Sequence, residues 1–228
     1  PWLLAAKRTL DVVFPRDRQQ LRLADLGCLE GGYAVEFARM GFQVLGLDIR
    51  ESNLAACRYV QSHTNLPNLE FVQDDAWNIA SYGTFDAVFC CGLFYHLDRP
   101  KRFLDLMSTV TRKLLILQTH FATAEANPKF GLSELTDNEG LQGRWYTEFG
   151  SDEAFHAREN ARWASWDNYR SFWLKREYLL QGLQTAGFDL VAEQFDGLGT
   201  NIAADMQTGF YKTDDRGTFI GVNRTRPR

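Results

Sequence analysis

The chain has 228 residues, of which 45% are apolar, and a formal net charge of −4. This length suits one large domain, or one domain with an elaborated insert. No run approaches the ~20 apolar residues of a membrane span, and no basic stripe of the kind a phosphate backbone demands is present, which argues against membrane and nucleic acid as partners.

Residues 2–14 form a predicted amphipathic helix with Leu3, Leu10, Val13 and Phe14 as core contacts and Pro15 beyond its end. Its first residues precede Lys7 and Arg8, the wrong order for a signal peptide. The apolar run from Leu21 to Asp25 predicts a buried strand. Gly27, Cys28, Leu29, Glu30 and Gly31 then make a turn that opens a helix burying Ala34, Phe37 and Ala38, with Gly41 as its stop. Glycine there supplies positive φ and lets a ligand touch the backbone. The helix start adds unpaired N–H groups and the positive end of its dipole, so an anionic or strongly polar small ligand is expected. Leu29 departs from the G-x-G-x-x-G spacing, standing where a second glycine falls.

The next apolar run, 43–48, ends in Asp48, an acid at a strand tip that suits the paired hydroxyls of a ribose. A helix over about 52–62 follows, with Ser52 as its N-cap. Pro67 and Asn68 introduce a third strand over 69–74, beyond which Asp75 either caps the turn or faces a ligand. The fourth strand, 85–91, carries Cys90 and Cys91 on opposite faces. With no C-x-x-C pair among four cysteines, no metal is expected, and a reducing cytoplasm fits. Pro100 sits in the first turn of a helix buried through Phe103, Leu104, Met107 and Val110, and 114–118 is the fifth strand. Such alternation predicts a parallel sheet covered by helices on both faces. Right-handed crossovers then bring Gly27, Asp48, Asp75 and Cys91 to one rim.

The rhythm breaks between 121 and about 165, where eight acids face four bases. Four of the six tryptophans lie between 145 and 173, which argues for order, so this stretch reads as a lid over the rim. A helix over about 167–186 is predicted from the spacing of Tyr169, Phe172, Trp173, Leu180 and Leu183. A sixth strand over 188–193, a glycine-rich loop over 197–216 and a final antiparallel strand over 218–222 complete the pattern.

In Asp25-Leu26-Gly27-Cys28-Leu29-Glu30-Gly31, Asp48, Asp74-Asp75-Ala76 and the run from Phe85 to Leu97, the chain resembles the class I S-adenosylmethionine-dependent methyltransferases. The detailed resemblance covers about residues 20–120. It implies an α/β, Rossmann-like, seven-stranded, mostly parallel sheet with helices on both faces, the last strand antiparallel and a lid insertion after strand five. One domain over 1–228 is expected, with the N-terminal helix at 1–14 and the lid at about 121–165. The implied cofactor is S-adenosyl-L-methionine, leaving as S-adenosyl-L-homocysteine. Gly27, Cys28 and Gly31 would line its methionine part with Asp25 bracing the turn, and the Cys91 carbonyl region would hold its ammonium. Asp48 would accept the ribose hydroxyls, Asp75 the adenine amino group and the Ala76 N–H would approach the ring, with Ile49 and Trp77 on its faces.

The sulfonium methyl of such a cofactor is already activated, so the protein aligns the acceptor and removes a proton where needed. His96, directly after strand four, is the first candidate base and His120, past strand five, the second; Tyr95 would position the acceptor. Trp145, Tyr146, Trp166, Tyr169 and Trp173 are candidates for an aromatic acceptor pocket, although Phe172 and Trp173 also read as helix core. Arg144, Arg162 and Arg170 are the available clamps for an acidic acceptor. A small-molecule methyltransferase is the leading function, and a homo-oligomer is compatible with the sequence. Two alternatives are a tRNA-modifying enzyme, because Leu93 to His96 is similar to the Leu-Tyr-His segment of tRNA carboxymethyl transferases, and a non-catalytic cofactor-binding protein.

Overall fold

In the computed structural model, whose described residues are 2–195 and 214–224, helix α1 covers Trp2–Val13. The apolar runs of the first half form β1 (Arg22–Leu26), β2 (Gln43–Asp48), β3 (Leu69–Gln73), β4 (Phe85–Cys91) and β5 (Thr111–His120). Between them lie α2 (Gly32–Arg39), α3 (Glu51–Ser62) and α4 (Pro100–Val110). The second half adds β6 (Thr136–Asn138), β7 (Leu141–Thr147), α5 (Asp152–His156), β8 (Arg170–Leu174), α6 (Arg176–Thr185), β9 (Leu190–Gln194) and β10 (Arg216–Val222).

Seven strands form one sheet in the order β3-β2-β1-β4-β5-β10-β9. The first five pair in parallel, whereas β10 is antiparallel to both of its neighbours. The order reverses between β1 and β4, and that reversal opens a crevice at the strands' carboxyl ends, where open α/β sheets take ligands. One core layer packs Leu10, Phe14, Phe37 and Phe42 against one face; the other packs Phe94, Phe103, Met107 and Leu179 against the opposite face. Burial on both faces explains why β1 and β4 read as continuous apolar runs.

Two predicted elements take another form. The expected helix over 167–186 divides: α6 keeps its second part, but residues 170–174 form β8, paired antiparallel with β7 from Thr147–Arg170 to Gly143–Leu174. Tyr169, Phe172 and Trp173 have helical spacing, yet Ser171 to Leu174 are all buried. A run buried on both sides suits a strand flanked by packing partners, not one stripe of a helix. β6, β7 and β8 thus make a second sheet inside and beyond the stretch read as a lid. Ser52 is not the N-cap of α3, which starts one residue earlier after Arg50; its hydroxyl donates to Glu159 Oε1 at 3.0 Å. The glycine-rich loop expected over 197–216 lies largely outside the described residues. No helix among the described residues is long and apolar enough to cross a membrane.

Candidate active site

The turn after β1 is fixed from its neighbouring strand. The Gly27 and Cys28 N–H groups both donate to the Leu47 carbonyl, at 2.9 and 3.1 Å. Gly27 has φ +69°, and a Cβ there would stand 3.3 Å from Leu93 Cβ, so glycine keeps the backbone open at the crevice. Leu29, in the place of the missing second glycine, takes the left-handed conformation itself, with φ 50°. Its N–H donates to Asp48 Oδ2 at 3.0 Å and its carbonyl accepts from the Cys57 thiol at 2.9 Å. Asp48 Oδ1 accepts from the Arg50 N–H and from Asn53 Nδ2, both at 3.0 Å. Three donors therefore aim one rim carboxylate and join the first two strand ends.

A cavity of about 390 Å³ opens over this rim, within the range of small-molecule sites. Asp48, Ile49, Asp75, Ala76 and Trp77 line one side. Gly27, Cys91, Tyr95 and His96 line the other, and Trp166 comes over the top. The structure thus gathers ten of the singled-out residues around one space. Asp75 also caps the turn after β3, its Oδ1 accepting from the Trp77 N–H at 2.9 Å. The Trp77 ring packs edge-on against Phe103 with the Arg99 guanidinium 4.9 Å from its centre.

Other singled-out residues lie behind this wall. Asp25 is fully buried under the turn; burial, first of all, pushes its carboxyl up to about 7, and Oδ2 has no protein partner among the described residues. Cys28 points away, its sulfur 3.9 Å from that of Cys57. Gly31 (φ +77°) lets Phe71 approach, since a Cβ would meet its ring at 2.5 Å. His120 stacks on Trp173 at 4.7 Å and its Nδ1 bonds the Asp214 carbonyl at 2.7 Å. Burial and then the Arg216 charge hold its imidazole down at about 4, so it is neutral at pH 7.

The expected aromatic pocket is dispersed by the β7–β8 hairpin. Trp145 packs on Phe172 under Arg170, Tyr146 stacks on Trp173, and Tyr169 stacks on Phe155 away from the cavity. Of that group only Trp166 lines the cavity. Arg144 is consumed internally, donating to the carbonyls of Ser133, Ala124 and Thr123, while Arg162 lines the cavity and pairs with Glu30.

Three participants escape the sequence reading. Arg216 reaches the cavity because antiparallel β10 begins at the rim, opposite His120. Its guanidinium lies over Trp2 and Tyr95, and α1 brings Trp2 to the same wall. Starting the last strand at 216 instead of 218 would have placed Arg216 there. Glu148 had no signal in its neighbourhood, because its role depends on the hairpin: its Oε1 accepts from His96 Nδ1 at 2.8 Å and Ser171 Oγ at 2.7 Å, and its Oε2 from the Ser165 N–H at 3.0 Å.

Residues 23–113 match the family described as Methyltransferase domain. Over 216 residues the chain is 26% identical to YqeM of Bacillus subtilis (strain 168), whose name places it with methyltransferases; the match spans 87% of this chain and 86% of that protein. It is 30% identical over 110 residues to a ubiquinone biosynthesis O-methyltransferase of Acinetobacter baumannii (strain AYE), spanning 47% and 46% of the two chains. The fold is similar to that of the N-terminal domain of EvdMO1, solved with S-adenosylhomocysteine bound, at a TM-score of 0.71 and 24% identity. That likeness covers 96% of this chain and 81% of the other.

Proposed function

Since this chain belongs to the class I S-adenosylmethionine-dependent methyltransferases, we propose that it methylates a small-molecule acceptor whose accepting atom carries a proton, with His96 as the base. The convergence of Gly27, Asp48, Asp75, Cys91 and His96 on one cavity carries this reading. Two features fit an adenosyl donor. The backbone is open at Gly27, and the Asp48 carboxylate is held by three N–H donors. Bound there, the cofactor supplies an electrophilic methyl group. Asp48 would accept the ribose hydroxyls, Asp75 and Ala76 would read the adenine edge between Ile49 and Trp77, and Gly27 and Cys91 would border the methionine end.

His96 faces the cavity with Nδ1 engaged by Glu148 and with no partner for Nε2 among the described residues. Nε2 would take the acceptor's proton, leaving the acceptor's lone pair free to receive the methyl that the bound cofactor would supply as its carbon–sulfur bond breaks, the electron pair staying with the sulfur of departing S-adenosylhomocysteine. Trp2, Tyr33, Tyr95 and Arg216 close the same end of the cavity, aromatic faces with one cation that suit a hydroxylated ring. One structure of the EvdMO1 domain was obtained in the presence of D-fucose, which makes a deoxysugar the first acceptor to try.

Calorimetry with S-adenosylhomocysteine should show one site, weakened about 100-fold in Asp48→Ala, as two lost hydrogen bonds to a charged group imply. Transfer of labelled methyl should appear on a panel of sugars, phenols and amines and fall by about 100-fold or more in His96→Ala. Undiminished binding in Asp48→Ala would remove the ribose assignment, and turnover confined to tRNA would replace the acceptor class.

A further inference from the structure

We infer that Glu148 is the positioning residue for His96, fixing its tautomer and the direction of its free nitrogen; the inference rests on the reading of His96 as the base. The Glu148 side chain is 1% exposed, and its carboxylate collects three donors from three parts of the chain. Ser171 Oγ comes from β8 and the Ser165 N–H from the segment over the cavity; the third donor is the imidazole. A carboxylate only accepts, so Nδ1 carries the ring proton and Nε2 keeps its lone pair on a ring that lines the cavity. A base with the opposite tautomer would present an N–H to the acceptor and remove nothing.

The backbone carrying the imidazole is gripped from the same hairpin. Trp173 Nε1 donates to the Tyr95 carbonyl at 2.9 Å, Asn168 Nδ2 to the His96 carbonyl at 3.1 Å and the Phe172 N–H to the Leu97 carbonyl at 2.8 Å. Three consecutive carbonyls of the turn are thereby tied to residues 168–173, so neither the ring nor its backbone can swing freely. Once Nε2 gains the acceptor's proton, the imidazolium stands against a buried carboxylate 2.8 Å from Nδ1, a charge-assisted bond. The insertion therefore does more than cover the rim: it holds the base that strand four delivers.

A purely architectural Glu148 would close the hairpin through Ser165 and Ser171 and be indifferent to the imidazole. Long-range ¹⁵N–¹H spectra of the histidine side chains separate the two, with His96→Gln assigning the His96 signals among the four histidines. In its neutral form the wild-type His96 should be protonated at Nδ1 and bare at Nε2. Glu148→Gln should lose that single form for two exchanging tautomers, while S-adenosylhomocysteine affinity stays within about threefold. A wild-type His96 protonated at Nε2 would overturn the inference even if the variant fails to fold. So would an unchanged tautomer in Glu148→Gln, or a tautomer lost only together with ligand affinity. Absence of S-adenosylhomocysteine binding in the wild type would instead sink the cofactor reading and leave the His96–Glu148 pairing to be judged on its spectrum.

Discussion

Leu29 holds an L side chain in the left-handed region at the centre of the cofactor turn, a conformation that costs about 1–2 kcal/mol. Leu29→Gly relieves that strain while adding disorder to the unfolded chain, so it should unfold within about 1 kcal/mol of wild type in urea. Leu29→Ala keeps the strain and loses the packing, and should be less stable than Leu29→Gly. Equal losses in the two would show that the φ angle stores nothing. Two buried groups give opposing pH trends. Asp25, raised to about 7 by burial, binds a proton in the folded state that the unfolded chain binds only near 4; its contribution is present at low pH and is lost as pH rises from about 4 to 7. His120, lowered to about 4, contributes stability above about 6.5 that is lost as pH falls toward 4. Denaturant midpoints across pH 4–7 should therefore tilt upward with pH in Asp25→Asn and downward in His120→Asn, relative to wild type; the reverse tilts would contradict the burial of these groups.

At the scale of elements, the segment 158–166 is tied to the rim by polar contacts. Arg50, two residues after Asp48, donates to the carbonyls of Ala164 at 2.8 Å and Ala161 at 3.0 Å and lies 5.4 Å from the centre of the Trp166 ring. Glu159 adds a bond to Ser52, and Arg162 pairs with Glu30. Arg50→Met should cut the residence time of S-adenosylhomocysteine by about tenfold, the equivalent of one hydrogen bond to a charged group. Limited proteolysis should then open the chain between 150 and 166 first. An unchanged dissociation rate in stopped flow would mean that this segment does not guard the site. The first-half elements were legible because each carries its own local signal: glycine at the turn, proline at the start of α4, apolar runs for strands buried on both faces. β8 was not, because the i, i+3, i+4 spacing of Tyr169, Phe172 and Trp173 imitates a helix, and only its pairing with β7 decides otherwise.

For the whole molecule, topology explains both what the sequence reveals of the site and what it hides. Parallel strands put Gly27, Asp48, Asp75 and Cys91 on one edge by a rule of handedness, so the cofactor end can be argued from order along the chain. The rest of the cavity lining includes Trp2 on α1, Arg216 on an antiparallel strand and residues around Trp166, parts distant in sequence and joined only by packing. His96 was visible in the turn that follows strand four, whereas Glu148, 52 residues away, was not. The most direct test is a crystal structure with S-adenosylhomocysteine bound. The ribose hydroxyls should sit on the Asp48 carboxylate and the sulfur should be directed toward the space in front of His96 Nε2; a ribose turned away from Asp48, or a sulfur facing a wall without His96, would overturn both roles.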